Sequence, residues 1–325
     1  MRCRESFLTG LGRANFDIMK NILVLTDFSI RAGYAVEFAM HLAIKNEARL
    51  LLCHALEPFS ANSVTGAAWI VADDQLAEKD EAIMDLKEIG RGLLKLMATD
   101  GGKVRPDIQY IADYGNVCDV AKKVIADNNV DIVVIGSHPS NALTRILSGS
   151  HVYSLIDKLD CPVLLIPESL RYKGIHTIAY ATDLTFNNNK VIKYLVRVAR
   201  PFQAAISVNH IFKTEFHLTE AEQATRYALC NKSEFSYPHI SYHNLKRDNV
   251  KSGLFELISS GKADILATVH KRYDFFEGLF HKSISKLIAD ASHIPLMVLP
   301  DSFSKNVVNW SSEQLDDFCF KAKER

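Results

Sequence analysis

The residues best placed to do chemistry are two aspartates at matched points of the chain. Asp27 follows the run NILVLT from Asn21, and Asp183 follows TIAYAT from Thr177. Each apolar, strand-like run ends in Thr-Asp, with Thr26 preceding Asp27. A carboxylate at a strand end can accept hydrogen bonds from an exocyclic amine or a ribose hydroxyl. The tripeptide Gly136-Ser137-His138 closes another apolar run, DIVVI from Asp131, and Gly149-Ser150 begins eleven residues after His138. Backbone amides and a hydroxyl at a helix start make a ready anion site, because the first amides lack intrahelical partners. Together these groups could hold a nucleotide from base to phosphates. The same residues also have a purely structural use. Asp27 can cap the following helix with Ser29, and Gly136 and Gly149 can serve only as turns.

Other chemistries find little support. The chain contains no GxxxxGK[ST], HExxH, GxSxG or CxxC, so the familiar phosphate-loop, zinc-protease, hydrolase and redox motifs are absent. The twelve histidines are dispersed. His54 and His210 fall inside strand patterns and read as core or rim histidines, whereas His138 and His270 follow the fourth strand of each repeat and are better placed to meet a ligand. Six cysteines (Cys3, Cys53, Cys118, Cys161, Cys230 and Cys319) are scattered, and read as reduced structural thiols with no metal. Formal net charge is zero, with 38 basic and 38 acidic side chains, so the broad basic field of sequence-independent nucleic-acid binding is missing. No apolar run approaches the ~20 residues of a membrane span.

These residues need elements to position them, and the elements are written twice. After each Thr-Asp comes a helical pattern, apolar at Ala35, Phe38, Ala39 and Leu42 in the first copy and at Val191, Tyr194, Leu195 and Val198 in the second. A second strand follows, RLLLCHAL from Arg49 and AISVNHIF from Ala205, and the copies close on CPVLLIP from Cys161 and IPLMVLP from Ile294. Four similarities in the same order argue for duplication, and at 325 residues the length suits two domains of roughly 150. Further strands are expected at PDIQYIAD from Pro106, DIVVIGS from Asp131 and ADILATVH from Ala263. Near-continuous Val, Ile and Leu imply parallel sheets covered on both faces. The fold class is therefore α/β, with two tandem doubly wound, parallel, five-stranded sheets. In such sheets ligands bind beyond the carboxyl ends of strands whose neighbours connect in opposite directions, which selects strands one and four. The expected divisions are an N-terminal extension over 1–18, a first domain over 19–168, a linker over 169–175, a second domain over 176–300 and a tail over 301–325 that holds a short helix. The polar stretch 59–75 reads as a loop or flap.

The strand-Asp start, GSHP followed by SNALTRILSGSHV, and the closing CPVLLIP resemble the universal stress protein family, in a tandem form with two UspA-like domains. The resemblance spans roughly Met19 to Pro300 and implies an adenine nucleotide alpha hydrolase-like, Rossmann-like fold. It implies that Asp27 meets adenine, that Ala55 lines the base pocket, and that Gly136, Ser137, His138, Gly149 and Ser150 wrap ribose and phosphates. The cofactor implied is ATP, with magnesium as its counterion. The family signature is Gly, two residues, Gly, nine residues, Gly-Ser, and its second glycine is Pro139 here. Proline has no amide to donate and fixes φ, so any contact needing that amide is lost. The second copy departs further: Thr268 is read in place of the first glycine, Lys271 of the second, and Lys282 precedes Ser283, while Asp183 and His270 remain. It reads as a degenerate site that does not take ATP.

The function expected is that of a cytoplasmic stress-response protein that binds ATP and acts through an unknown protein partner rather than by turnover, with neither nucleic acid nor membrane as a partner. The resemblance also implies that the two final strands pair across a pseudo-twofold axis as an intramolecular pseudo-dimer; whether homodimers form is left open. One alternative is a nucleotide-independent scaffold whose second domain recruits a protein or lipid-like ligand through Tyr273, Phe275, Phe276, Leu279 and Phe280. The other is an adenylyl- or phosphoryl-transfer enzyme, which ranks last because no SGGxDS or HxGH occurs.

Overall fold

The structure, a computed structural model, describes residues 18–57, 68–99, 105–137, 149–168, 170–182, 189–212, 236–248, 250–270 and 294–303. β1 (Asn21–Leu25) is apolar throughout because both its faces are covered: Ile22 and Val24 join one core, Leu23 and Leu25 the other. The chain then turns into α1 (Ile30–Asn46), whose start is fixed by Ser29, the Oγ of which accepts from the Ala32 amide at 3.2 Å. α1 stops at Glu47, held at φ +52 in the left-handed region. β2 (Arg49–Leu56), α2 (Ala68–Thr99), β3 (Ile108–Tyr114), α3 (Val117–Asn128), β4 (Ile132–Ser137), α4 (Gly149–Lys158) and β5 (Val163–Pro167) complete the first half.

The second half repeats the plan through β6 (Thr177–Thr182), α5 (Asn189–Ala199), β7 (Ala205–Phe212), β8 (Ile240–Lys246), α6 (Val250–Ser259), β9 (Ile265–Val269) and β10 (Leu296–Leu299). Strand order is β3-β2-β1-β4-β5-β10-β9-β6-β7-β8. Each half is a parallel five-stranded sheet, and the two join where β5 meets β10 antiparallel, with Leu164 opposite Met297. The union buries one edge of each sheet.

One expectation fails locally. The stretch read as a loop over 59–75 is helical from Ala68 onward, because α2 runs unbroken to Thr99. The segment WIVADDQLAEKDEA is rich in helix formers and lacks Gly and Pro, so the helix runs through it unbroken. Segment 59–67, the N-terminal residues 1–17, the tail helix and the aromatic-basic segment from Lys271 to Lys282 lie outside the described residues.

A matched device sets each sheet. Asp131, just before β4, accepts from the amides of Lys20 and Asn21 at 2.5 and 3.0 Å. Asp264, just before β9, accepts from those of His176 and Thr177 at 2.7 and 2.8 Å. Asp131 alone also receives an arginine: Arg197 Nη2 from α5 lies 2.8 Å from its Oδ1 and donates to the Ile18 carbonyl at 2.6 Å. Tyr194, one turn earlier, donates to the Asp131 carbonyl at 3.1 Å, so α5 fastens the second half to the first. Its counterpart face on α1 uses rings instead, with Phe38 edge-on to Tyr172 and His41 stacked on it at 3.9 Å.

Candidate functional site

β1 has β2 on one side and β4 on the other, so a crevice opens beyond its carboxyl end, where Thr26 and Asp27 stand next to Gly136 and Ser137. The strand end is held from two sides. The Thr26 amide donates to the Cys53 carbonyl at 3.0 Å, and the Thr26 carbonyl accepts from His54 Nδ1 at 2.8 Å. A carbonyl can only accept, so Nδ1 of this buried imidazole carries the proton. Thr26 Oγ1 accepts from the Phe28 amide at 3.1 Å, and Phe28 sits at φ +61, a left-handed conformation that costs a bulky residue roughly 1 kcal/mol. Its ring lies 4.4 Å from that of His54, packing that offsets the strain.

Asp27 serves the helix start. Its Oδ1 accepts from both the amide and the hydroxyl of Ser29, at 3.1 and 2.5 Å, while Oδ2 makes no hydrogen bond to the described residues. The carboxylate is thus oriented by one oxygen and offers the other. Gly136 also has a structural reason to be glycine: a Cβ there would stand 3.3 Å from the Arg31 carbonyl oxygen at the start of α1. Arg31 is itself held by Glu168, 3.1 Å away at the end of β5. Ala55 lies two residues beyond Cys53, just as Asp27 lies two beyond Leu25, and Cys53 and Leu25 are paired. Gly149 is the first described residue of α4, and the residues preceding it lie outside the described ones. Thr26, Ala55 and Ser137 are buried and Asp27 is half-buried. His138, Pro139 and, in the second half, Asp183, Lys282 and Ser283 lie outside the described residues.

Sequence reasoning passed over a charged cluster on the same rim. Asp113 pairs in register with Ala55, and its carboxylate meets Lys123 Nζ at 2.6 Å and Lys79 Nζ at 3.4 Å. The hydrogen bond from Lys123, with the charge of Lys79 behind it, holds the Asp113 carboxyl below the ordinary aspartate range. The acid was visible as the end of PDIQYIAD; the lysines come from two different helices, which no local pattern links. The thiols offer no reactivity here: burial pushes Cys53 and Cys161 up to about 12, and both are inert at neutral pH. Among the described residues no cluster of His, Cys, Asp or Glu could hold a metal ion, and no helix is long and apolar enough to cross a membrane.

The second half repeats the frame and alters the site. Buried His210 reaches the Thr182 carbonyl at 3.3 Å, as His54 reaches Thr26. The sequence alignment of the fourth strands, however, is off by one. Ile132 pairs with Ile22, and Ile265 with Ile178, the matching residue of β6. Counting along both strands puts Val269, not Thr268, at the place of Gly136, and His270 at that of Ser137. Thr268 resembles Gly136 in sequence because a histidine stands two residues after each, but the true counterparts are Asp131 and Asp264, which bind the amides at the starts of β1 and β6. Val269 and His270 are both buried, and His270 Nε2 lies 3.4 Å from Asp157 Oδ1 on α4 of the first half.

The universal stress protein family model matches residues 19–167, the whole of the first half. The first half thus matches the universal stress protein family along its whole length. Among its relatives is a protein of Staphylococcus aureus (strain USA300) named as a universal stress protein, 27% identical over 148 residues, which are 45% of this chain and 83% of the relative. Among solved structures, a universal stress protein from Archaeoglobus fulgidus DSM 4304 superposes with a TM-score of 0.59 at 13% identity, over 86% of this chain and 96% of the other. A functionally unknown protein from Pseudomonas aeruginosa PAO1 gives 0.53 at 14% identity, over 94% and 98%. At such identities these two likenesses speak for the fold alone, and they extend that doubly wound fold across both halves of the chain.

Proposed function

We propose that the first half binds an adenine nucleotide, ATP with magnesium as its counterion, and that occupancy alters a surface read by a protein partner without chemical turnover. The observation that carries the reading is the Asp27 carboxylate at the carboxyl end of β1, half-buried and oriented by the Ser29 bonds on Oδ1. An acceptor so held suits an exocyclic amine. The residues present fit the ligand in a second respect. Gly149 and Ser150 stand at the N-terminal end of the described α4, the end at which the helix dipole favours phosphate oxygens. Ala55 keeps the neighbouring strand end small. ATP, when bound, would supply the phosphate charge that this helix start attracts.

Calorimetric titration of Mg-ATP into the wild type and into Asp27→Ala tests the reading. Binding to the wild type should be lost in the variant, with the fold retained, since the lost contacts to Ser29 cost only about 1 kcal/mol. Equal ATP affinity in a folded variant would refute the assignment of Asp27.

A further inference from the structure

Five non-glycine residues among the described ones have a left-handed backbone, and four sit where such turns are ordinary. Glu47, Asn129 and Gln203 end helices, and Ser236 is a small residue in a turn. Phe28 is the exception, an aromatic residue at φ +61 between the end of β1 and the start of α1. Two hydrogen bonds straddle it. The Phe28 amide donates to Thr26 Oγ1 and the Ser29 amide to Asp27 Oδ1, both at 3.1 Å. The Ser29 hydroxyl donates to the same Asp27 oxygen and accepts from the Ala32 amide at 3.2 Å. Turning Phe28 to an ordinary negative φ would swing Ser29 away from Asp27 and undo these bonds together. The ring of Phe28 is held from outside the turn. It lies 4.4 Å from the His54 ring and packs against a small cluster of Leu56, Ala82 and Ala112, drawn from β2, α2 and β3.

We infer that Phe28 is a positioning residue of the site: the packing of its ring holds the left-handed turn that fixes the Asp27 carboxylate for a ligand. This role rests on the nucleotide reading of the first half and keeps that site in its binding-competent form. A bulky side chain avoids this backbone unless its surroundings impose it, and here the surroundings are the strand and helix beside the strand end. Without the ring, a residue that carries a Cβ falls back to negative φ in part of the molecules, and the apparent affinity drops with the competent fraction. Glycine escapes that penalty, since it has no Cβ to clash.

Comparison of Phe28→Ala with Phe28→Gly tests the role. Both lack the ring and they differ by one methyl group, yet only glycine takes the left-handed turn freely. Titration calorimetry should give Mg-ATP binding about tenfold weaker in Phe28→Ala than in the wild type, with most of the loss recovered in Phe28→Gly. Melting temperatures should follow the same order, glycine above alanine. Loss of packing alone gives the reverse order, because glycine loses more chain entropy on folding. Equal ATP affinities in the two folded variants, or a glycine variant weaker than the alanine one, would overturn the inference and leave the nucleotide reading in place. An alanine variant that fails to fold beside a folded, ATP-binding glycine variant supports it. Failure of both to fold would make Phe28 a requirement of folding and overturn its positioning role. A wild type that takes up no ATP refutes the nucleotide reading, and the inference with it.

Discussion

Replacing Asp131 by alanine should destabilise the protein far more than replacing Asp264, although the two residues do the same job in the two sheets. Both accept from two successive amides at the start of a first strand. Asp131 also neutralises Arg197, and the two side chains are only 15% and 16% exposed. Removing one member of a buried ion pair strands the other charge, a cost of about 3–5 kcal/mol. The Asp264 carboxylate is 37% exposed and faces only the weak partner His176, so water can replace much of what it provides. Its loss should cost about 1–2 kcal/mol, two hydrogen bonds discounted for solvent. For a chain of 325 residues unfolding as one unit, an entropy of about 0.7 kcal/mol/K turns ~4 kcal/mol into a melting shift of about 6 °C. Differential scanning calorimetry of Asp131→Ala, Asp264→Ala, Arg197→Met and the Asp131/Arg197 double variant would measure this. The double-mutant cycle should give a coupling of about 1–3 kcal/mol. Equal shifts for the two aspartates, or additivity of Asp131 and Arg197, would refute the claim that this pair fastens the halves.

Other consequences are as direct. Gly136→Ala should cost about 1–2 kcal/mol, since its Cβ would press on the Arg31 carbonyl at 3.3 Å; denaturant unfolding with no change in midpoint would show that α1 yields freely. Asp113 titrates below its ordinary value in the folded state, so its contribution is complete above about pH 4 and is lost as pH falls through the lower folded value. Asp113→Asn should therefore flatten the acid limb of stability against pH and leave neutral and alkaline stability nearly parallel to wild type, as followed by thermal melts across that window. An unchanged acid limb would remove Asp113 from the account.

How far the sequence spoke for the structure differs from element to element. Strands were legible because a parallel sheet covered on both faces demands unbroken Val, Ile and Leu, and NILVL, RLLLC and VLLIP meet that demand. Thr26, Asp27, Gly136 and Ser137 were found by the rule that ligands sit beyond strand ends at the switch between β1 and β4, and the structure does bring those residues together. The helical part of 59–75 was missed because polar composition was read as a loop, although Ala, Gln, Glu and Lys propagate a helix as well as they solvate one. The one-residue slip in the second repeat came from trusting a histidine over an aspartate. Only hydrogen bonds to strand amides reveal which residue starts β4 and β9. The packing of Ile211 directly on Gly253 was beyond pattern reading, since it depends on two residues far apart in sequence and adjacent in the core.

The most direct test of the central claim is native mass spectrometry of the whole chain titrated with Mg-ATP. One nucleotide adduct per chain at saturation, lost in Asp27→Ala, is what a single first-half site predicts. No adduct at any concentration, or two of equal affinity, would contradict it.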